Sequence, residues 1–428
     1  MPIGYLITVA VVALGMLLAL RPVHRPAPLR TASWVLGSIV NESPFVAFYW
    51  VLAATLLALA EGDLETSVGW VGLGIACVTL LGTPVLVRRS LAARPVVEQA
   101  LDEGLGPEWR GAIDPTLASR FRGRLPWVRI LLAPVPVLHR GVKQVRNLSY
   151  GDAGRRNRLD VYHHPARPAG APILIHLHGG GFRMGRKSLY SRALLAELAR
   201  HGWVCISASY RLRPRAVFPD YLVDAKKVIA WARRHGEEYG ADPSVVFIAG
   251  SSAGAHLAVT AALTPNDGGF QPGFEEADTT VSGAICLFGY YGPVDRGRQP
   301  LPSAPFDYVR PDAPPVFLAH GEYDTLVPVA QGEDDALVPA SRARALAARL
   351  RDVSTSPVVY AELPGGPHNF DLFHSIRFEI LIDGIEAFTA WVRSQDAPRA
   401  SEERRVEPRR GRRPIRTLAP RRAHPPRR

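Results

Sequence analysis

Residues 245–254 read Val-Val-Phe-Ile-Ala-Gly-Ser-Ser-Ala-Gly, and a helix-forming segment, Ala255-His-Leu-Ala-Val-Thr, follows at once. This is Gly-x-Ser-x-Gly between a strand and a helix, the setting in which small residues permit a sharp turn that exposes the central serine. Its Oγ then lies at a helix N-terminus, where developing negative charge is favoured. Ser252 is the expected nucleophile. Ser251 stands one place off the pattern and is expected to be structural. Some 70 residues earlier the apolar run Ile173–Leu177 ends in His178-Gly179-Gly180-Gly181-Phe182. Three successive glycines cost backbone entropy that a plain turn does not require. They free backbone amides to converge on one oxygen, and each donor aimed at an oxyanion is worth about 3 kcal/mol of barrier.

A serine of this kind needs an acid and a histidine further along, in the order Ser, Asp, His. The run Val316–Ala319 leads into His320-Gly-Glu-Tyr-Asp324, and Val358–Glu362 leads into Leu363-Pro-Gly-Gly-Pro-His368. His368 could take the serine proton while Asp324 holds the imidazole tautomer. The segment Gly321–Ala330 is nearly repeated as Gly332–Ser341, so Asp335 duplicates Asp324. Direct attachment to a strand favours Asp324, with Asp335 as the alternative. Four other histidines invite plainer readings. His176 and His178 are expected to be packed or bonded to backbone, His256 to border the pocket, and His374 to open the last helix. There is no His-x-x-x-His or His-Glu-x-x-His spacing, so no metal site is expected and no cofactor is implied. Cys77, Cys205 and Cys286 are too scattered for a disulfide framework or a zinc site.

These residues fall at the ends of short apolar runs that alternate with helical patterns. Expected strands are Gln144–Ser149, Arg158–His163, Ile173–Leu177, Val204–Tyr210, Val245–Ala249, Ala284–Phe288, Val316–Ala319 and Val358–Glu362. Expected helices are Ser191–His201, Tyr221–Tyr239, Ala253–Leu263, Ser341–Arg351 and Ser375–Arg393. Such alternation predicts an α/β domain, with a mostly parallel sheet covered on both faces.

HGGGF (178–182), SYRL (209–212), FPD (218–220), GSSAG (250–254), HGEYDTLVP (320–328) and PGGPHNF (364–370) together resemble the hormone-sensitive-lipase-like carboxylesterases of the α/β-hydrolase superfamily. The likeness spans roughly residues 145–394 and is similar in particular to actinobacterial membrane-attached lipases and esterases. It implies an α/β-hydrolase fold of about eight strands and cleavage of short or medium acyl esters through an acyl-serine intermediate. Residue by residue it implies Ser252 as nucleophile, His368 as base and Asp324 as acid. The backbone amides of Gly180, Gly181 and Ala253 would form the oxyanion hole, and Tyr210, Arg211 and Asp220 would be structural. Two departures stand out: many members carry Asp at position 251 and Gly at 255, where this chain has Ser251 and Ala255. The stretch Gly292–Pro315 is too short for a large lid.

The amino-terminal 87 residues are of another kind. Ile3–Leu20 and Val68–Val87 are uncharged stretches long enough to cross a bilayer, and Pro44–Ala60 adds a shorter one that could borrow apolar residues from Ser33–Val40. Three spans are therefore expected. Arg21, Arg25 and Arg30 precede the second span, and Arg88, Arg89 and Arg94 follow the third, whereas residues 61–67 between spans two and three are acidic. The positive-inside rule then places the amino terminus outside and everything beyond Val87 in the cytoplasm. The chain is expected to divide into a membrane region (1–87), a connector or cap (88–142), a catalytic domain (143–396) and a disordered tail (397–428). Within the connector, a helix is expected over Leu91–Glu103. Pro126–Leu138 is expected at the membrane interface or over the active site.

The net charge of +12 looks like a nucleic-acid signal until it is located. The tail alone holds 12 Arg against 3 Glu, hence +9 of the total. It has almost no apolar residue with which to fold, and no aromatic or groove-reading element for nucleic acid. Contact with anionic lipid is the partner its charge suits. The expected substrate is a small-molecule or lipid ester. An amidase or acyltransferase would share the same triad on this fold, and a silent hydrolase domain used for binding would need neither triad nor oxyanion loop.

Overall fold

The computed structural model describes residues 2–23, 25–118, 123–136, 141–295, 301–324 and 338–406. Its centre is an eight-stranded sheet: β1 (Lys143–Ser149), β2 (Arg158–His163), β3 (Ala171–Leu177), β4 (Val204–Ala208), β5 (Ala241–Ser251), β6 (Gly283–Leu287), β7 (Val316–Gly321) and β8 (Val358–Leu363). The strands lie in the order β1-β2-β4-β3-β5-β6-β7-β8. β2 is antiparallel to both of its neighbours, and all pairs from β4 to β8 are parallel. Continuous apolar runs such as Ile173–Leu177 are buried along their whole length because helices cover both faces.

The helices are α1 (Pro2–Leu20), α2 (Ala27–Ala32), α3 (Ser38–Glu42), α4 (Pro44–Ala60), α5 (Ser67–Leu91), α6 (Ala93–Leu105), α7 (Pro115–Ala118), α8 (Trp127–Leu132), α9 (Arg192–Arg200), α10 (Asp220–His235), α11 (Ala253–Leu263), α12 (Ala340–Val353) and α13 (Ile376–Val406). α10, α11 and α12 share one core with one face of the sheet. α6, α9 and α13 share the other. The membership of α6 is instructive, since its residues belong to the stretch expected to be a connector. Val97, Ala100 and Leu101 are buried against the sheet side, where each valine or leucine contributes about 1.5–3 kcal/mol. A Cβ on Gly104 would lie 2.7 Å from Val359 Cγ2, so that helix is pressed onto the edge strand β8. In α8 only Ile130 is buried, and Val128 and Leu132 are 76% and 74% exposed.

Pro2–Leu20 and the helical stretch Ser67–Leu105 are long and apolar enough to cross a membrane. α1 and α5 run parallel: Tyr5 meets Gly72 near their starts, and Met16 meets Gly82 near their ends. α4 runs the opposite way, with the Tyr5 hydroxyl 3.0 Å from Thr55 Oγ1 near its far end. The segment from which α4 is expected to borrow is helical but bent: Pro28–Glu42 meets α4 at 90°, and together the two are long and apolar enough for one broken span. The cause is local. Pro44 opens α4, and a residue before proline is excluded from the helical region; Ser43 accordingly adopts φ −132°, ψ 52°. A correction concerns the tail. α13 continues to Val406, because residues 399–406 are mostly Arg, Glu and Ala, which favour helix. Residues 407–428 lie outside the described residues.

Candidate active site

The turn between β5 and α11 carries Ser252 at φ 55°, ψ −115°. A non-glycine residue held there costs about 1–3 kcal/mol and persists only where its surroundings impose it. They do: a Cβ on Gly250 would lie 2.1 Å from Gly254 O, and one on Gly254 would lie 2.0 Å from Leu177 O. Both flanking glycines are thus demanded by close backbone approach. Ser252 N donates to Leu287 O at 2.8 Å, which ties the turn to β6.

His368 lies on the loop after β8, and Asp324 on the loop after β7. His368 Nε2 is 3.1 Å from Ser252 Oγ, and His368 Nδ1 donates to Asp324 Oδ2 at 2.6 Å. All three side chains are buried. The imidazole is wedged by Phe288, whose ring meets it edge-on at 4.6 Å between centroids. His320 Nε2 lies 3.2 Å from the same oxygen, Asp324 Oδ2. Burial pushes the Asp324 carboxyl upward, but His368 and His320 outweigh it and hold the group below its ordinary value. The duplicate Asp335 lies outside the described residues.

The glycine loop after β3 lies against the serine turn. Gly180 has φ 122° and Gly181 φ 59°, conformations open to glycine. Among the described residues no acceptor takes the amides of Gly180 and Gly181. Ala253 N belongs to the first turn of α11, where helix amides have no partner within the helix. Gly179 packs against the turn, its notional Cβ 3.2 Å from Ser252 Cβ. A Cβ on Gly180 would lie 2.1 Å from Met184 O. Gly180→Ala is therefore expected to displace this loop; if Gly180 N is an oxyanion donor, kcat should fall roughly 100- to 1,000-fold with KM little changed. Steady-state kinetics on a soluble ester would check it, and an unchanged kcat would remove Gly180 from the site.

His176, His178 and His256 are buried packing groups. Burial lowers His176 to about 3, and His178 and His256 to about 4. His178 Nδ1 lies 2.7 Å from Gly179 O, and its ring stacks on Tyr210. The Tyr210 hydroxyl donates to His178 O at 2.8 Å. Arg211 bonds Asp220 and Asp224. His256 is fully buried, with Nδ1 3.0 Å from Tyr290 O, and its ring stands edge-on to Phe182.

Beside the serine turn lies a residue that sequence reasoning missed. Asp371 is fully buried behind the serine turn, and its Oδ2 accepts 2.6 Å hydrogen bonds from Ser251 and from Ser191. His176 Nε2 in turn lies 3.1 Å from Ser251 Oγ. The absence of Asp at position 251 was the available signal, because a hydroxyl there leaves room for a carboxylate from elsewhere. Burial is the largest influence and raises Asp371 to about 6, against opposing hydrogen bonds from the two serines. The folded state therefore binds this proton more tightly than the unfolded chain. The group's contribution to stability is full below about pH 4, declines as pH rises toward 6 and is constant above. Asp371→Asn is expected to remove that decline, on the order of 3 kcal/mol across the window. Unfolding temperatures of both proteins between pH 4 and 7 would show it, and parallel slopes would refute it.

Comparison with known proteins gives the same reading from another direction. The family model BD-FAE matches residues 159–300. The protein named "Probable carboxylic ester hydrolase LipM" of Mycobacterium tuberculosis is 35% identical, over 91% of this chain and 93% of its own length. Esterase LipQ of the same organism is 34% identical over 69% of this chain and 74% of its own length. Esterase LipC is 34% identical over 62% and 69%. With the eight-stranded, mostly parallel sheet, this similarity along nearly the whole chain makes the protein an enzyme of the hormone-sensitive-lipase-like carboxylic ester hydrolases, an α/β-hydrolase family.

Proposed function

We propose that the protein is a membrane-anchored serine esterase that acts through an acyl-serine intermediate on Ser252. The observation that carries this reading is the continuous chain of contacts Ser252 Oγ–His368 Nε2 and His368 Nδ1–Asp324 Oδ2, at 3.1 and 2.6 Å. His368 removes the Ser252 proton as Oγ attacks the ester carbonyl. The tetrahedral oxyanion is held by the amides of Gly180, Gly181 and Ala253. Its collapse expels the alcohol, which takes the proton from His368. Water, deprotonated at the same imidazole, then attacks the acyl-serine; collapse releases the acid, and Ser252 Oγ takes the proton back from His368. Asp324 keeps Nδ1 protonated, so that Nε2 is free to accept.

The membrane part of the reading rests on α1, α4 and α5 as three spans, with α2 and α3 lying across their basic end. Parallel α1 and α5 with an opposed α4 put the acidic loop 61–66 at one end and the catalytic domain at the other. Arg21, Arg30 and Arg88 flank the catalytic end, which assigns it to the cytoplasm by the positive-inside rule. The Arg-rich tail, on that side, would meet anionic lipid. The catalytic domain comprises residues 143–396 together with α6.

The test is hydrolysis of a p-nitrophenyl ester series from acetyl to palmitoyl by the full-length protein in detergent micelles. Turnover with a chain-length optimum, and stoichiometric labelling of Ser252 by a fluorophosphonate, is the expected result. Turnover without labelling at Ser252 would overturn the mechanism.

A further inference from the structure

The loop that presents His368 is Pro364-Gly365-Gly366-Pro367, which has no side chain of its own able to form a hydrogen bond. Its position is imposed from outside. Two of the groups that impose it come from the neighbouring acid loop: Glu322 Oε2 accepts from Gly365 N at 2.8 Å, and Tyr323 N donates to Gly366 O at 2.9 Å. The others trace back to the amino-terminal helices. Asn41 Nδ2 donates to Gly365 O at 2.8 Å, across 324 residues of sequence. Arg377 Nη2 donates to Pro364 O at 3.1 Å, and the same guanidinium is paired with Glu42. Arg89, at the end of α5, lies over the Tyr323 ring at 5.1 Å. Its side chain presses on Gly365 so closely that a Cβ there would fall 2.0 Å from Arg89 Cδ.

Asn41, Glu42 and Arg377 are 2%, 2% and 0% exposed. A buried ion pair is seldom more stabilising than apolar residues of the same volume, so gross stability does not account for one at this place. Direction does. Both donors point at carbonyls three and four residues before His368, and an imidazole that must meet Ser252 and Asp324 at once tolerates little displacement.

We propose that Asn41, Glu42 and Arg377 are positioning residues that clamp the His368 loop, which makes the membrane region a working part of the esterase site. The clamp rests on the reading of His368 as the base. It acts through that residue and touches no substrate.

The experiment uses full-length protein in detergent micelles or lipid nanodiscs with a soluble p-nitrophenyl ester. Two variants are compared with wild type: Asn41→Ala, which deletes one bond and no charge, and the double variant Glu42→Met/Arg377→Met, which removes both charges together so that none is buried alone. Each is expected to lower kcat about 10- to 100-fold, the effect of an ångström-scale misplacement, with KM within about twofold. Phosphonylation of Ser252 by a fluorophosphonate should slow in parallel, since it draws on the same base. Unfolding temperature should stay near the wild-type value. A merely structural role would lower stability and leave kcat per folded molecule intact, and that result overturns the clamp. If the double variant fails to fold, Asn41→Ala decides alone. The underlying reading fails separately: activity that survives Ser252→Ala sinks the triad, whereas wild-type kcat in a folded Asn41→Ala, with Ser252 still essential, sinks the clamp alone.

Discussion

Replacement of Ser252 by alanine is expected to lower kcat for ester hydrolysis by about 10,000-fold or more, while the protein folds and binds substrate as before. The methyl group removes the only atom in the turn aligned with both His368 Nε2, 3.1 Å away, and the glycine loop. What remains is the oxyanion loop and a histidine able to activate water at a distance, which yields a residual rate far below that of acyl transfer. The substitution should not relieve the turn, because alanine must adopt the same φ of 55°. An unfolding temperature near the wild-type value alongside abolished turnover would fit. Activity above one per cent of wild type, with contaminating esterases excluded, would show that some other group forms the covalent bond.

Asp324→Asn is the second large effect. The side chain keeps its size, but its amide can now donate to His368 Nδ1 and leave the proton on Nε2, which faces the serine. An imidazole in that tautomer cannot accept the Oγ proton, and a loss of roughly 10,000-fold in kcat near neutral pH is expected. KM should change little, because Asp324 lies behind the imidazole and away from the oxyanion loop. Asp324 also meets two rings, His368 and His320, and the neutral amide cannot balance both as the carboxylate does. Some loss of stability should therefore accompany the kinetic loss. Asp335→Asn belongs in the same assay. Near-normal turnover in Asp324→Asn with collapse in Asp335→Asn would transfer the acid to the duplicate.

The parts of the fold that were legible share one property: their signal is local. Arg158–His163 and Ala253–Leu263 carry their limits in the residues themselves, a strand of apolar alternation in one case and an Ala-rich run after a Gly-x-Ser-x-Gly turn in the other. The apolar run predicts β5 from Val245, but the strand begins at Ala241, which pairs with Ala171; the register then slips before Ile173 meets Val246, and Asp242 Oδ1 accepts from Ser244 N at 2.9 Å within the slip. The apolar pattern predicts β4 as far as Tyr210, but the strand stops at Ala208, and beyond it the Tyr210 hydroxyl donates to His178 O. The candidate site was legible for the same reason, because each of Ser252, Asp324 and His368 directly follows an apolar strand. Asp371, Asn41 and Glu42 were not, because their partners lie 120, 324 and 335 positions away. No periodicity or turn rule joins residues at such separations. The 90° bend at Ser43 was half visible: Pro44 marked a helix start, but only packing shows which way the preceding helix turns.

The 39-residue helical stretch Ser67–Leu105 has a consequence for how the enzyme meets its substrate. On the proposed placement about 20 of its residues lie in hydrocarbon, and the rest project roughly 28 Å beyond at 1.5 Å per residue. The projecting part is bolted to the sheet edge, so the catalytic head rides on a stiff strut. An enzyme on a flexible leash sweeps a hemisphere whose radius grows with the square root of leash length. A head on a strut keeps one altitude and one tilt, and its search is confined to two dimensions. On that placement, esters carried in the plane of the bilayer would reach it by lateral drift, always presented at the same height, and length added elsewhere in the chain would not extend its reach.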